Sequence, residues 1–164
     1  MSSSSSFQSA SFHPALATLD WRWQAFDALP VRELYAILMA RVDVFVVEQT
    51  CPYREIDGAD LDAWHLGAWD GAALAGYLRV LPPDATHPDV RIGRVLTQPD
   101  WRGRKLGHAL LAQALDRIAV QWPGQAVSLH AQAHLQAFYG ALGFVANSEI
   151  HDEDGIPHVW MQRA

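Results

Sequence analysis

The chain has 164 residues, half of them hydrophobic, a formal net charge of −6 at neutral pH and one cysteine. That length suits one domain with a real core, and the acidic balance argues against a general nucleic-acid binder. No apolar run approaches the roughly 18 residues of a membrane span, no secretory signal is visible, and the lone Cys51 excludes an intrachain disulfide, so a cytoplasmic protein is expected.

Residues 1–18 begin with a serine run and lack periodicity; they are expected to form a disordered arm ahead of a single domain over 19–164. Asp20 to Phe26 alternates aromatic and polar residues and predicts a first strand. Pro30 opens a predicted helix with Val31, Leu34, Leu38, Val42 and Phe45 on one face, ending in Val46-Val47-Glu48-Gln49. The next stretch is irregular and acidic. Glu48, Glu55, Asp57, Asp60 and Asp62 have only Arg54 as local compensation. They make either a solvated loop with a turn at Asp57-Gly58, or a wall that attracts a cationic amine.

Trp64 to Trp69 and Ala73 to Leu81 predict two strands joined at Asp70-Gly71, and Val90 to Thr97 predicts the next. A helix over 104–122 follows, with Leu106, Leu110, Ala114, Ile118 and Trp122 on one face, and stops before Pro123-Gly124. Gln125 to Ala131 reads as a strand, Gln132 to Leu142 as a helix closed by Gly143, and Phe144 to Glu149 as a strand. Asp152-Glu153-Asp154-Gly155 turns the chain into a last strand, Ile156 to Gln162. The predicted order is β-α-β-β-β-α-β-α-β-β, an α/β (α+β) fold with a mixed central sheet and helices on both faces. Residues 90–97, 104–122 and 125–131 form a right-handed crossover between parallel strands.

Ligands of such sheets sit beyond the carboxyl ends of the strands, which here is the turn into helix 104–122. The first helical N–H groups lack partners, and the helix dipole adds positive charge. Arg102, Arg104 and Lys105 crowd the same turn. A phosphate or pyrophosphate suits this place, although solvated charges on an ordinary strand–helix connection would look alike. The dinucleotide spacing G-x-G-x-x-G is absent, as is the Gly-Lys-Ser or Gly-Lys-Thr of nucleotide triphosphatases.

Arg102 to Gly107 resembles the pyrophosphate loop of the GNAT family of N-acetyltransferases, Arg/Gln-x-x-Gly-x-Gly/Ala. Arg102 matches the first position and Gly107 the last, while Lys105 replaces the middle glycine. Phe138-Tyr139-Gly140-Ala141-Leu142-Gly143-Phe144 is similar to that family's Phe-Tyr-x-x-x-Gly-Phe ending. Residues 46–53, 57–62 and 154–158 further resemble its ElaA-like branch.

The resemblance implies a GNAT-like acyl-CoA N-acyltransferase fold with acetyl-CoA as co-substrate. Its pyrophosphate would rest on the backbone of residues 102 to 109: Arg102, Gly103, Arg104, Lys105, Leu106, Gly107, His108 and Ala109. The pantetheine arm would pair with Val95 and Thr97, and the thioester carbonyl would meet an N–H near Val95 or Leu96. Gln132 stands where many members carry an asparagine that reaches the arm. Tyr139 matches the tyrosine that protonates or orients the departing sulfur. Glu48 is a candidate base through water, with Glu149 and His158 as alternatives. The family transfers the acyl group directly, so no acyl-enzyme on Cys51 is expected. No metal is expected either, because the histidines lack zinc spacing with cysteines.

The expected function is N-acetyl transfer from acetyl-CoA to a primary amine, with a cationic acceptor favoured. The rival is a module that binds acyl-CoA without turnover. Neither a nucleic acid nor a membrane is an expected partner, and a homodimer is left open.

Overall fold

The computed structural model describes residues 14–164. Residues 1–13 of the expected arm lie outside the described residues. The rest of that arm is not free chain. Pro14–Thr18 form a 3-10 turn that buries Leu16, which with Leu19 joins the main core. Two apolar side chains one turn apart anchor a segment that looked featureless beside the serines.

One mixed sheet contains β1 (Asp20–Ala25), β2 (Trp64–Asp70), β3 (Ala73–Leu81), β4 (Val90–Thr97), β5 (Val127–Gln132), β6 (Val145–Ala146), β7 (His151–Glu153) and β8 (Ile156–Arg163). The strand order is β1-β2-β3-β4-β5-β8-β6, with β7 also paired to β8. Among the described residues only β4 and β5 run parallel, as the crossover through α2 (Leu106–Gln121) requires. The stretch 144–149 yields only the two-residue β6, while the unpredicted β7 forms a hairpin with β8 across Asp154-Gly155. The expected helix 132–142 also contracts. Gln132 ends β5, Ala133–Leu135 make a 3-10 turn, and α3 covers Gln136–Gly140.

α2 buries Leu106, Leu110, Leu111, Ala114 and Ile118 against one face of the sheet, close to the predicted stripe. Each such leucine contributes about 1.5–3 kcal/mol of transfer free energy. α1 (Val31–Arg41) packs on the opposite face and continues as a π-helical segment, Val42–Glu48. Its buried face is Ile37, Ala40, Arg41 and Val44, rotated from the stripe that begins at Val31, which is 82% exposed. The rotation has a cause: α1 turns the guanidinium of Arg41 inward, and an apolar count cannot register an inward arginine.

Near its end β4 breaks regularity. Gly93 pairs with Arg79 and Leu96 with Tyr77, so Arg94 and Val95 together oppose Leu78 in a bulge. Arg94 holds a left-handed backbone, φ 54°. The extra residue flips the alternation, so Ile92 joins the core under α2 and Leu96 the core under α1. Pairing of β4 with β5 is described only as far as Ile92 with Leu129. Beyond that point the strands part, and the split opens toward the turn before α2.

Candidate active site

The turn between β4 and α2 is built to leave amides free. Gln98 to Arg102 close a 3-10 turn in which the Arg102 amide donates to the Pro99 carbonyl. Gly103 then adopts φ +76° and Lys105 φ 62°, both left-handed. Lys105 thus holds the backbone conformation that suits a glycine, at a cost of about 1–2 kcal/mol. α2 begins at Leu106, and the Ala109 amide already donates to the Lys105 carbonyl. The amides of Leu106, Gly107 and His108 have no acceptor among the described residues. The run of available donors is therefore narrower than 102 to 109, because both ends are committed.

A cavity of about 290 Å³ lies over these amides, walled by Val95, Thr97, Arg102, Lys105, Gly107 and Tyr139 among others. The Arg102 guanidinium makes a two-pronged, solvent-exposed contact with Glu48 at 2.8 and 2.9 Å, so an anion in the cavity competes with that carboxylate for it. That pairing, first through its hydrogen bond, holds the Glu48 carboxyl below its ordinary value and makes it a poorer base. Arg104 lies over the Trp101 ring at 5.0 Å, and Lys105 forms no ion pair among the described residues. A Cβ on Gly107 would sit 3.3 Å from Phe138, so the loop touches α3 through this glycine.

A second cavity, about 570 Å³, opens on the other side of the split. It shares Val95, Leu135 and Tyr139 with the first. Tyr139 is 7% exposed, packed edge-on against Phe138 and Phe144, and its hydroxyl has no hydrogen-bond partner among the described residues. Burial pushes the phenol up to about 12. Val95 lies in the bulge, while Leu96 and Thr97 remain paired with Tyr77 and Gly76, which makes Val95 the better placed of the expected oxyanion donors. Gln132 lines the larger cavity rather than the loop and donates to Gln49 at 3.2 Å. Of the three candidate bases only His158 lines this cavity; its Nδ1 donates to the Ile156 carbonyl at 2.8 Å, leaving Nε2 as acceptor. Glu149 is exposed in the connection between β6 and β7 and lines neither cavity.

The acidic stretch is not an open wall. Glu55 and Asp60 are buried, and arginines distant in sequence neutralise them. Arg41 pairs with Glu55 and, at 2.6 Å, with Asp60. Arg79 bridges Asp57 at 2.8 Å and Asp60 at 3.0 Å. Arg94, in the bulge, reaches Glu55 at 2.6 Å and lies 5.3 Å over the Tyr53 ring. Burial opposes ionisation of Asp57 and Asp60, yet hydrogen bonds from Arg79 and Arg41 hold both carboxyls below their ordinary values. With Glu48 on Arg102, the segment loses most of the free charge that would attract a cationic amine. Local composition missed these partners because α1, β3 and β4 supply them.

This mixed sheet with its flanking helices is the acyl-CoA N-acyltransferase fold. A family model described as an acetyltransferase (GNAT) domain matches residues 37–164. The chain belongs to the GNAT acetyltransferase family, in its ElaA-like branch. It is 44% identical over 147 residues to the protein ElaA of Escherichia coli (strain K12), spanning 88% of this chain and 96% of that one. A UPF0039 protein of Schizosaccharomyces pombe is 38% identical over 149 residues, with 90% and 98% covered. The crystal structure of an acyl-CoA N-acyltransferase from Pseudomonas aeruginosa superimposes with a TM-score of 0.86 at 49% identity, covering 89% of this chain and 99% of that one. The crystal structure of Escherichia coli ElaA gives 0.85 at 42% identity, with the same coverage. Acyl-CoA is the co-substrate of this family.

Proposed function

We propose that the protein is an N-acetyltransferase that moves an acetyl group directly from acetyl-CoA to a primary amine. One observation carries this reading: the two cavities meet at Val95 and Tyr139. The smaller lies over the free amides of Leu106, Gly107 and His108, a place for a pyrophosphate. Beyond Ile92 the side of β4 that faces the split offers main chain to an amide-bearing arm. The larger cavity receives the amine.

At the junction the amine must be neutral to attack. A carbon–nitrogen bond forms as the carbon–sulfur bond breaks, and charge passes to the carbonyl oxygen and then to sulfur. The Val95 amide is positioned for the oxygen. Tyr139 serves the sulfur. A phenol at about 12 stays protonated through the neutral range. Burial makes this phenol a weaker acid than it is in water, which disfavours complete proton transfer to the departing thiolate. Tyr139 therefore acts as a hydrogen-bond donor that stabilises the departing thiolate, and solvent supplies the final proton. His158 lines the amine cavity with Nδ1 held by the Ile156 carbonyl, and its Nε2 takes the amine's proton, directly or through water.

The test is thiol release from acetyl-CoA over a panel of primary amines, run beside calorimetric titration of CoA. Turnover with at least one amine, and none with the matching tertiary amine, supports the reading. Tight CoA binding without turnover on any amine would instead make the protein an acyl-CoA-binding module. No binding at all removes the assignment of the loop.

A further inference from the structure

The far wall of the larger cavity holds a cluster that acyl transfer does not use. His130 projects from β5, and His151 and Glu153 project from β7, two strands that do not pair with each other but both flank β8. One ligand atom from each of the three lies within 4.8 Å of the others. The Nε2 atoms of His130 and His151 are 2.7 Å apart, with ring centroids at 4.9 Å and planes 10° from parallel. Those values mean that the rings meet nitrogen to nitrogen, not face to face.

The ring orientations are fixed from behind. His151 Nδ1 lies 3.1 Å from the Glu149 carbonyl, and a carbonyl can only accept, so Nδ1 carries the proton and Nε2 presents a lone pair to the cluster. Trp160 stacks on His130 at 4.4 Å and sets the plane of that ring. An imidazole held through Nδ1 by a backbone carbonyl, with its Nε2 converging on a second imidazole and a carboxylate, is how proteins orient metal ligands.

We infer that His130, His151 and Glu153 form a site for a divalent first-row transition ion such as Zn²⁺. Two imidazoles and one carboxylate suit such an ion and not the hard cations Mg²⁺ or Ca²⁺. Nitrogens bound to a tetrahedral zinc at about 2.0–2.1 Å stand about 3.3 Å apart, so the two rings need to part by only about 0.6 Å. His151 and Glu153 sit on a three-residue strand at the end of the sheet, where such a shift is cheap. As the ion enters, the proton on His130 Nε2 passes to solvent and Nδ1 of the same ring takes one up, so that a neutral imidazole binds the ion. The fourth position opens to the cavity, where Glu153 and His130 form part of the wall. Sequence spacing hides the site because His130 and His151 are 21 residues apart and no cysteine takes part.

The experiment uses the full chain without a polyhistidine tag, stripped with chelator and dialysed free of it. Equilibrium dialysis against Zn²⁺, with metal analysis, is expected to give one ion per chain at micromolar or lower free Zn²⁺, and none for Mg²⁺. His151→Gln should weaken binding at least 100-fold. Glu153→Gln, at an exposed position, should weaken it about 10- to 100-fold with an unchanged melting curve in the absence of metal. Co²⁺ should show the visible absorption of a four-coordinate centre that both variants lose. No uptake at micromolar Zn²⁺ leaves a hydrogen-bonded histidine pair only and overturns the site. Equal uptake by the wild type and both variants overturns it as well, because the ion then sits elsewhere.

Discussion

Two groups of cations do opposite jobs in this molecule. Arg41, Arg79 and Arg94 are locked to Glu55, Asp57 and Asp60, and most of these side chains are buried. Arg102, Arg104 and Lys105 sit in a turn over a cavity, touched by an exposed carboxylate, an indole ring and nothing charged, respectively. The residue types are nearly the same. Pairing and burial decide which charges are spent on the fold and which stay available to an anion. The two groups are also connected, because Arg94 sits in the bulge of β4 against β3, just past the last described pair of β4 with β5. Its left-handed backbone costs about 1–2 kcal/mol, and its contact with the buried Glu55 offsets that cost. The closed network therefore holds open the place where the available cations act.

The comparison breaks first at Arg41. Replacing it with methionine keeps apolar bulk but leaves Glu55 and Asp60 buried beside fewer partners. Such a loss costs about 3–5 kcal/mol, or roughly 6–20 °C in Tm for a chain of this size. A melting curve checks it, and an unchanged Tm would show that the network is ornamental. Acid is a gentler probe of the same groups. Asp57 and Asp60 have folded carboxyl values below the ordinary one, so the unfolded chain binds their protons more readily. Their contribution is fully present above the unfolded value of about 3.9 and is lost as the pH falls below it toward the folded values. His65, lowered by burial, acts in the same direction around its unfolded value of about 6.5. Denaturant midpoints should therefore fall from pH 7 to pH 3, and a flat profile would contradict the network.

Tyr139→Phe tests the junction. Losing a hydrogen bond to a developing thiolate removes about 1.5–3 kcal/mol, so kcat should fall about 10- to 100-fold while the Kd for CoA stays within a factor of about two. Because burial raises this phenol to about 12, the wild type should show no alkaline loss from Tyr139 between about pH 7 and 10. A variant with full activity would make Tyr139 a packing residue.

Much of this was legible from residue order, for reasons that particular elements make plain. The α2 stripe is read correctly because every contact it makes is apolar and its period is undisturbed. The strand, loop and helix from Val90 to Gln121 and the Phe138-Tyr139 ending carry local signals and fall where expected. The bulge is invisible because its left-handed residue is an arginine, where glycine would have marked it. The face of α1 is misjudged because Arg41 points inward, and the acidic stretch because its partners lie on other elements. His130, His151 and Glu153 become neighbours only through β8. Local pattern reports what a segment does alone, and these are the places where a segment acts through another.

Glu48 and Arg102 form the weakest link between the two halves of the comparison. Their ion pair is exposed on both sides, 45% and 43%, and such pairs are worth about 0.2–1 kcal/mol. A phosphate at the loop must compete with Glu48 for that guanidinium. Glu48→Gln should therefore tighten CoA binding by a factor of about 1.4 to 5, read as a lower Kd by calorimetry. Weaker binding would mean that Glu48 holds Arg102 in the conformation a phosphate needs.

The smallest expected effect separates backbone from charge at one residue. Lys105 has a backbone that favours glycine and an ammonium without an ion-pair partner among the described residues. In Lys105→Gly, relief of the left-handed conformation gains about 1–2 kcal/mol, and the greater freedom of glycine in the unfolded chain returns about 0.4–1 kcal/mol. The net is a stabilisation of up to about 1.6 kcal/mol, or at most about 3–6 °C in Tm. CoA binding should move the other way, weaker by a factor of a few, because the helix N-terminus keeps its amides but loses one nearby positive charge. The loss should shrink as salt rises, since an exposed ammonium acts on a phosphate through a screened field. Opposite signs in stability and affinity would show that lysine is kept at this position for its charge and tolerated for its backbone. If Tm and affinity fall together, Lys105 supports the turn in a way that its backbone angles do not reveal. If affinity is unchanged at low salt, the amides alone hold the phosphate, and the cations of this turn belong with the solvated surface.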